Sequence, residues 1–225
     1  MADRRNLQKY PPILFDEARR REFIDPDALI REVKLKAGQT VADFGAGAGF
    51  FTVPAAQAVG RRGTVHAIDV NPNNLSIIHG KSRHESVASR IKLVEGNVET
   101  GEGIPLKEKS VDVVILSSVL SQFKDRRAVI AQAATLLKPA GRLVIFEWHD
   151  RAMLLGPPSR ARIPKEDVIN LLFEGNHWWL EADLEVGFYN YCLIFAPRQA
   201  GRNQAKTTQA TAKRSTPRTV KAGKS

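Results

Sequence analysis

Residues 41–52 read Val41-Ala42-Asp43-Phe44-Gly45-Ala46-Gly47-Ala48-Gly49-Phe50-Phe51-Thr52. A short apolar strand ends at the acid, three alternate glycines follow, and a helix starts beyond them. That order makes a site for a nucleotide-like ligand. Glycine lets the backbone come close and take positive φ, and the first N–H groups of a helix are unpaired donors.

The pattern extends in both directions. Upstream, Asp25-Pro26 opens a helix, with Asp25 as cap and Pro26 at the first helical position. Ala28, Leu29 and Val33 give it an apolar stripe, and Gly38 stops it. Residues 1–24 read as an irregular lead-in with a short helix around Asp16–Phe23. Arg19, Arg20 and Arg21 there form a solvated face or a substrate-facing one. Strand one is expected over Thr40–Phe44 and the helix after the glycines over Phe50–Val59, with Pro54 near its start.

Downstream, Thr64–Asp69 reads as a strand ending in an acid, Asn73–His84 as a helix and Ile91–Glu95 as a third strand. Gly96–Pro105 is rich in turn residues. Val111–Leu116 is nearly all apolar, as in a strand buried on both faces. A helix is expected over Arg126–Leu137, ended by Lys138-Pro139-Ala140-Gly141. Arg142–Glu147 is the fifth strand. A loop spans Asp150–Pro164, and a helix follows over Pro164–Phe173. Strands Trp178–Leu184 and Phe188–Phe195, joined at Glu185-Val186-Gly187, form a closing hairpin. Strands alternating with helices predict an α/β fold: a doubly wound seven-stranded sheet, mostly parallel, with a C-terminal antiparallel hairpin.

The chain has 225 residues, enough for one ordinary domain with a real core. No apolar run reaches the roughly 18 residues of a membrane span. The opening MADRRNLQKY lacks the apolar segment of a signal peptide. The single cysteine, Cys192, excludes an intramolecular disulfide and a cysteine cage for metal, and its YCLIF setting reads as core. A reducing cytoplasm is the expected location. The net charge is +10, and eight Lys/Arg with no acid lie between Arg198 and Ser225, which leaves +2 for residues 1–197. Residues 25–197 thus form the expected domain, and residues 198–225 a disordered basic tail too poor in apolar groups to fold.

A nicotinamide dinucleotide site fits the glycine turn poorly. The G-x-G-x-x-G pattern would place its third glycine at position 50, where Phe50 stands. Asp43 would also face a pyrophosphate unfavourably, whereas a cationic ligand removes that conflict.

The stretch DFGAGAG, the strand-ending Asp69 and the Gly96-Asn97-Val98 triplet together resemble the class I S-adenosylmethionine-dependent methyltransferases. So do SVDVVILSSVLSQF and LLKPAGRLVIFEW, with the spacing kept from about Gly38 to Trp148. Within that family the chain is most similar to the ubiquinone/menaquinone-biosynthesis and arsenite methyltransferase-like group. The resemblance implies a Rossmann-like sheet and S-adenosyl-L-methionine as cofactor. It implies that Asp43, Gly45 and Gly47 line the methionine end, and that Asp69 accepts hydrogen bonds from the ribose hydroxyls. Asn97 and the Val98 backbone would read the adenine edge, and Ser117 would border the sulfonium. The family usually has Asp where Asn97 stands, and often His where Ser121 stands.

Methyl transfer depends largely on aligning the nucleophile, and a base is needed only if the acceptor must lose a proton. The carboxyl ends of the later strands should face the acceptor, which points to Ser118, Ser121, Gln122, Glu147, His149 and His177. Ser121 and His149 are the catalytic candidates, with a surface loop position as the other reading of His149. Of the adjacent Trp178 and Trp179, one should pack inward and the other outward. No Asp/Asn-Pro-Pro-Tyr follows the fourth strand, against adenine-N6 or glutamine methylation. No cysteine stands there to attack a pyrimidine, and no histidine–carboxylate spacing suggests a metal. Three functions follow: methylation of an unidentified small acceptor, methylation of a macromolecule with the tail contacting nucleic acid, or a non-catalytic cofactor-binding module.

Overall fold

The structure is a computed structural model in which residues 20–21, 24–151 and 156–198 are described. The lead-in up to residue 19 and the tail from residue 199 lie outside the described residues, as does most of the expected Asp16–Phe23 helix. The elements in order are α1 (Pro26–Val33), β1 (Thr40–Phe44), α2 (Thr52–Val59), β2 (Thr64–Asp69), α3 (Pro72–His84) and β3 (Ile91–Glu95). Then come β4 (Val111–Ser117), α4 (Arg126–Leu136), β5 (Leu137–Trp148), α5 (Lys165–Phe173), β6 (Trp178–Val186) and β7 (Asn190–Pro197).

The seven strands form one sheet in the order β3-β2-β1-β4-β5-β7-β6. β7 runs antiparallel to both of its neighbours, and the other pairs run parallel. The hairpin therefore inserts its second strand beside β5, and β6 forms the edge. Alternation along the strands divides the core between the two faces. Val41, Val65, Val113, Ile115, Val144 and Phe146 pack with α1, α2 and α3 on one side. Ala42, Phe44, Ile68, Val114, Leu116 and Ile145 pack with α4 and α5 on the other. Strand order reverses between β1 and β4, so the carboxyl ends of those strands open a crevice.

Local chemistry fixes the boundaries. Asp25 Oδ1 caps α1 by accepting from Asp27 N and Ala28 N at 2.9 and 3.0 Å. Asn71 Oδ1 caps α3 through Asn73 N at 3.1 Å, which starts that helix at Pro72. Phe50 and Phe51 stay in the turn, so α2 begins only at Thr52.

Two expectations are corrected. The Lys138-Pro139-Ala140-Gly141 segment belongs to β5 and does not separate it from α4: Val111 pairs with Leu137 and Val113 with Arg142, leaving a bulge opposite Asp112. Lys138 Nζ holds that bulge by donating to both Asp112 oxygens at 2.8 and 2.9 Å, while Thr40 N donates to the same carboxylate. The hairpin turn is Gly187–Tyr189, because Glu185 pairs with Tyr191 and Val186 with Asn190. Just beyond β7, Arg198 N and Nε donate to the His177 and Trp178 carbonyls at 2.7 and 2.8 Å. Trp178 is 4% exposed and Trp179 38%, one inward and one outward. Cys192 is buried in the core. No helix among the described residues is long and apolar enough to cross a membrane.

Candidate active site

The crevice at the carboxyl ends of β1, β2, β4 and β5 is a cavity of about 460 Å³, within the usual range for small-molecule sites. Asp43, Gly45, Gly47, Asp69, Asn97, Val98, Ser117 and Ser121 all line it.

The glycine turn is built from several directions. Gly45 N and Ala46 N donate to the Ile68 carbonyl at 2.9 and 3.0 Å, which folds the turn over the end of β2. Gly47 has φ +54°, and its N–H donates to Asp69 Oδ2 at 2.8 Å. Lys81 Nζ on α3 reaches the Ala48 carbonyl at 2.7 Å. Gly45 has φ +69°, and a Cβ there would sit 2.9 Å from Val119 Cγ1, so glycine is required on both counts.

Asp69 does more than end a strand. Its Oδ1 also accepts from Asn71 N at 2.8 Å, so one carboxylate joins the glycine turn to the start of α3. Each oxygen keeps further acceptor capacity for a ligand. Asn97 organises its own turn: Oδ1 accepts from Glu99 N at 2.9 Å, and its carbonyl accepts from Gly101 N at 2.8 Å. The side-chain oxygen of Asn97, expected at the adenine edge, thus already holds a backbone amide.

Two buried carboxylates give the cavity its electrostatics. Burial raises the Asp43 carboxyl to about 6, against the pull of the Thr52 hydroxyl, whose Oγ1 donates to Asp43 Oδ2 at 2.6 Å. Burial likewise raises Glu147, on β5, to about 7, although the Leu120 N–H donates to its Oε1 at 2.9 Å. An acidic cavity with these groups suits a cation.

The sequence candidates for the acceptor end divide. Ser117, Ser118, Ser121, Gln122 and Glu147 line the cavity; His149 and His177 do not. His149 is 7% exposed, and its Nε2 lies 2.8 Å from Glu185 Oε2. Burial pushes Glu185 up, but hydrogen bonds from Lys165 and His149 pull its carboxyl net below the ordinary range. His149 is thus neither on the surface nor on the cavity; it ties β5 to β6.

Several lining residues carried no recognised signal. Trp148 and Pro157 border the acceptor side, and Phe50 and Phe51 line the wall near the glycine turn. Arg20, for which the sequence leaves a solvated or a substrate-facing role open, lines the cavity with its guanidinium 4.1 Å from the Phe50 ring centre. Ser118 has φ +54°, an uncommon conformation for serine and one that clusters at functional sites. Its buried hydroxyl has no hydrogen-bond partner among the described residues.

Comparison with known proteins agrees with this geometry. A family model described as a methyltransferase domain matches residues 42–145. Ubiquinone/menaquinone biosynthesis C-methyltransferases are among the similar proteins: that of Shewanella piezotolerans is 28% identical over 145 residues, 64% of this chain and 51% of the relative. That of Marinomonas is 28% identical over 119 residues, 53% of this chain and 46% of the relative. Among solved structures, a SAM-dependent methyltransferase from Aquifex aeolicus superposes with a TM-score of 0.74 at 24% identity, covering 84% of this chain and 99% of that one. The arsenic(III) S-adenosylmethionine methyltransferase of Chlamydomonas reinhardtii gives a TM-score of 0.60 at 21% identity, over 75% and 66% of the two chains.

Residues 42–145 match a methyltransferase domain, and the relatives and the fold support a class I S-adenosylmethionine-dependent methyltransferase. The family expected from DFGAGAG and its companion motifs is the family found. The chain spans about half the length of the curated relatives it matches. Its family match runs from Ala42 on β1 to Ile145 on β5 and thus covers the glycine turn, Asp69, Asn97 and the end of β4.

Proposed function

We propose that this protein transfers a methyl group from S-adenosylmethionine to a small, largely apolar acceptor by direct displacement. The observation that carries the reading is one cavity holding both halves of such a site. The glycine turn and Asp69 occupy one end, and Glu147, Ser118 and Trp148 border the other.

The donor set fits the cofactor. Asp43 and Glu147 are buried carboxylates able to balance a sulfonium. Asp69 has acceptor capacity left for ribose hydroxyls, and exposed Val70 and Ile77 border the cavity with apolar surface for a flat base. When bound, the cofactor supplies an activated methyl group. The protein's part is to orient the acceptor and keep water out. Phe50, Phe51, Val119, Phe123, Trp148 and Pro157 line a wall suited to an apolar acceptor. The similarity to C-methyltransferases of ubiquinone and menaquinone biosynthesis supports carbon as the methylated atom.

A second reading keeps the donor and moves the acceptor to a macromolecule, supported by the eight basic residues from Arg198 onward. One experiment separates the two. Titration calorimetry first establishes S-adenosylmethionine binding, whose absence overturns both. Cell extract is then incubated with methyl-labelled cofactor, and the label is partitioned among solvent-extractable, protein and nucleic-acid fractions. Label in the solvent-extractable fraction supports the small acceptor, and label confined to the other fractions overturns it.

A further inference from the structure

We propose that Glu147 is the catalytic base of this site, taking the proton that the acceptor gives up as it is methylated. The inference rests on the methyltransferase reading above and narrows it: the acceptor must be a weak acid at or near the reacting atom.

Position is the first argument. Glu147 lies near the carboxyl end of β5 and is 2% exposed, yet it lines the same cavity as Ser117 and Ser118 at the end of β4. The carboxylate is oriented by the Leu120 N–H at 2.9 Å, so it does not swing freely. Ser118 lines the same cavity, and its buried hydroxyl has no hydrogen-bond partner among the described residues. A fixed carboxylate on the cavity lining is a polar group able to meet an acidic acceptor.

Elimination is the second argument. Asp43 lies at the glycine turn and is bonded to Thr52. Asp69 holds two backbone amides of the cofactor end. His149 is outside the cavity and paired with Glu185. Among the described titratable groups of the lining, Glu147 is therefore the one placed for this proton.

The charged and titratable groups around Glu147 come from several elements. Against burial, hydrogen bonds from the Leu120 and Trp148 amides, the charge of Arg126 at the start of α4 and the Val119 amide lower its proton affinity. Tyr191 faces it across the β5–β7 pair, and Asp43, Asp69 and Arg20 share its cavity. Burial outweighs the lowering influences and leaves Glu147 near 7, where a base is strong enough to accept a proton and is partly ionised at neutral pH.

The step balances. The acceptor's nucleophilic atom forms a bond to the methyl carbon. The carbon–sulfur electron pair leaves with sulfur, which turns from sulfonium into a neutral thioether. The acceptor's proton passes to the Glu147 carboxylate. One positive and one negative charge disappear together, which a buried site favours.

The test compares the full-length protein with Glu147→Gln, whose amide oxygen can still accept from Leu120 N. The readouts are S-adenosylmethionine affinity by calorimetry, and label transfer from saturating methyl-labelled cofactor to an organic-solvent extract of bacterial cells across pH 5.5–9. The expected result is a roughly 10²–10⁴-fold slower transfer at saturating cofactor, with cofactor affinity falling by far less because Asp43 still faces the sulfonium. The wild-type rate should rise through about pH 7, and the residual rate of the variant should lack that limb. Undiminished transfer by the variant overturns the base assignment and leaves the methyltransferase reading standing. A slower rate that keeps the limb overturns it in favour of a positioning role through Leu120. Absence of cofactor binding or of transfer by the wild type overturns the underlying reading, and the base assignment with it.

Discussion

The N–H of Gly47 donates to the Oδ2 atom of Asp69 at 2.8 Å, binding the middle of the glycine turn to the end of the neighbouring strand. The acid thus shapes the turn before any ligand arrives. Asp69→Ala should cost cofactor binding about 1.5–3 kcal/mol, the scale of hydrogen bonds to a charged group. It should also lower the stability of the ligand-free protein, because Gly47 N and Asn71 N both lose their acceptor. Calorimetry and thermal unfolding check the two effects, and wild-type affinity in the variant would refute the ligand role.

Asp43 pays for its place in the cavity with stability. Its folded pKa, about 6, lies above the ordinary 3.8. The proton it holds therefore favours folding fully below pH 4, and that contribution is lost as pH rises through 6. Two units correspond to about 3 kcal/mol. Asp43→Asn keeps an acceptor for Thr52 and removes the charge. The variant should gain stability relative to wild type between pH 4 and 7 and keep a constant advantage above that, measured by urea unfolding. The preference for S-adenosylmethionine over its uncharged-sulfur product should rise through pH 6 in the wild type. That rise should be flattened in the variant. A pH-independent preference in the wild type would show that the ionised carboxylate does not act on the sulfonium.

Local signals made the strands, their order of appearance and the cofactor end legible. Asp43, Gly45, Gly47, Asp69 and Asn97 lie within short motifs whose spacing follows from a strand, a turn and a helix. The acceptor end was less legible because long-range pairing assembles it. His149 reads as a loop residue until β6 brings Glu185 to it, and that contact depends on Glu185 staying in β6 instead of the turn. Arg20 reads as solvated or substrate-facing until Phe50 is placed beneath it. Glu147 is legible as an acceptor-facing strand end, but the burial on β5 that raises its carboxyl is not. The Lys138-Pro139-Ala140-Gly141 bulge escapes sequence reading because a turn-rich tetrapeptide normally ends an element, whereas Asp112 on β4 holds this one in the sheet.

Arg162 fixes the segment after β5. Buried, it donates to the Pro157 carbonyl at 2.6 Å, the His149 carbonyl at 3.2 Å and the Arg151 carbonyl at 2.7 Å. These bonds set the position of Pro157 and brace the chain just after Trp148, both on the acceptor side of the cavity. Arg162→Met keeps much of the volume and leaves those carbonyls without the guanidinium. A loss of about 3 kcal/mol is expected, seen as a fall in Tm of roughly 6–12 °C. Cofactor affinity should change little, because the glycine turn and Asp69 make none of these bonds. A variant as stable as wild type would show that the three bonds do not hold the segment.

The basic character of the chain lies almost wholly beyond its last described residue. Arg198 is bonded to the Trp178 carbonyl and belongs to the body, whereas Arg202, Lys206, Lys213, Arg214, Arg218, Lys221 and Lys224 follow it with no acid between them. Seven positive charges give salt-sensitive attraction to polyanions without sequence preference. A chain ending at Arg198 should therefore elute from a heparin column at clearly lower salt than the full chain. Its S-adenosylmethionine affinity should be unchanged, because every residue lining the cavity is retained. If the full chain methylates a nucleic-acid-bound substrate, truncation should raise KM for that substrate steeply with salt while sparing kcat. Unchanged elution would remove the tail as a source of polyanion contact and leave the small-acceptor reading without its rival.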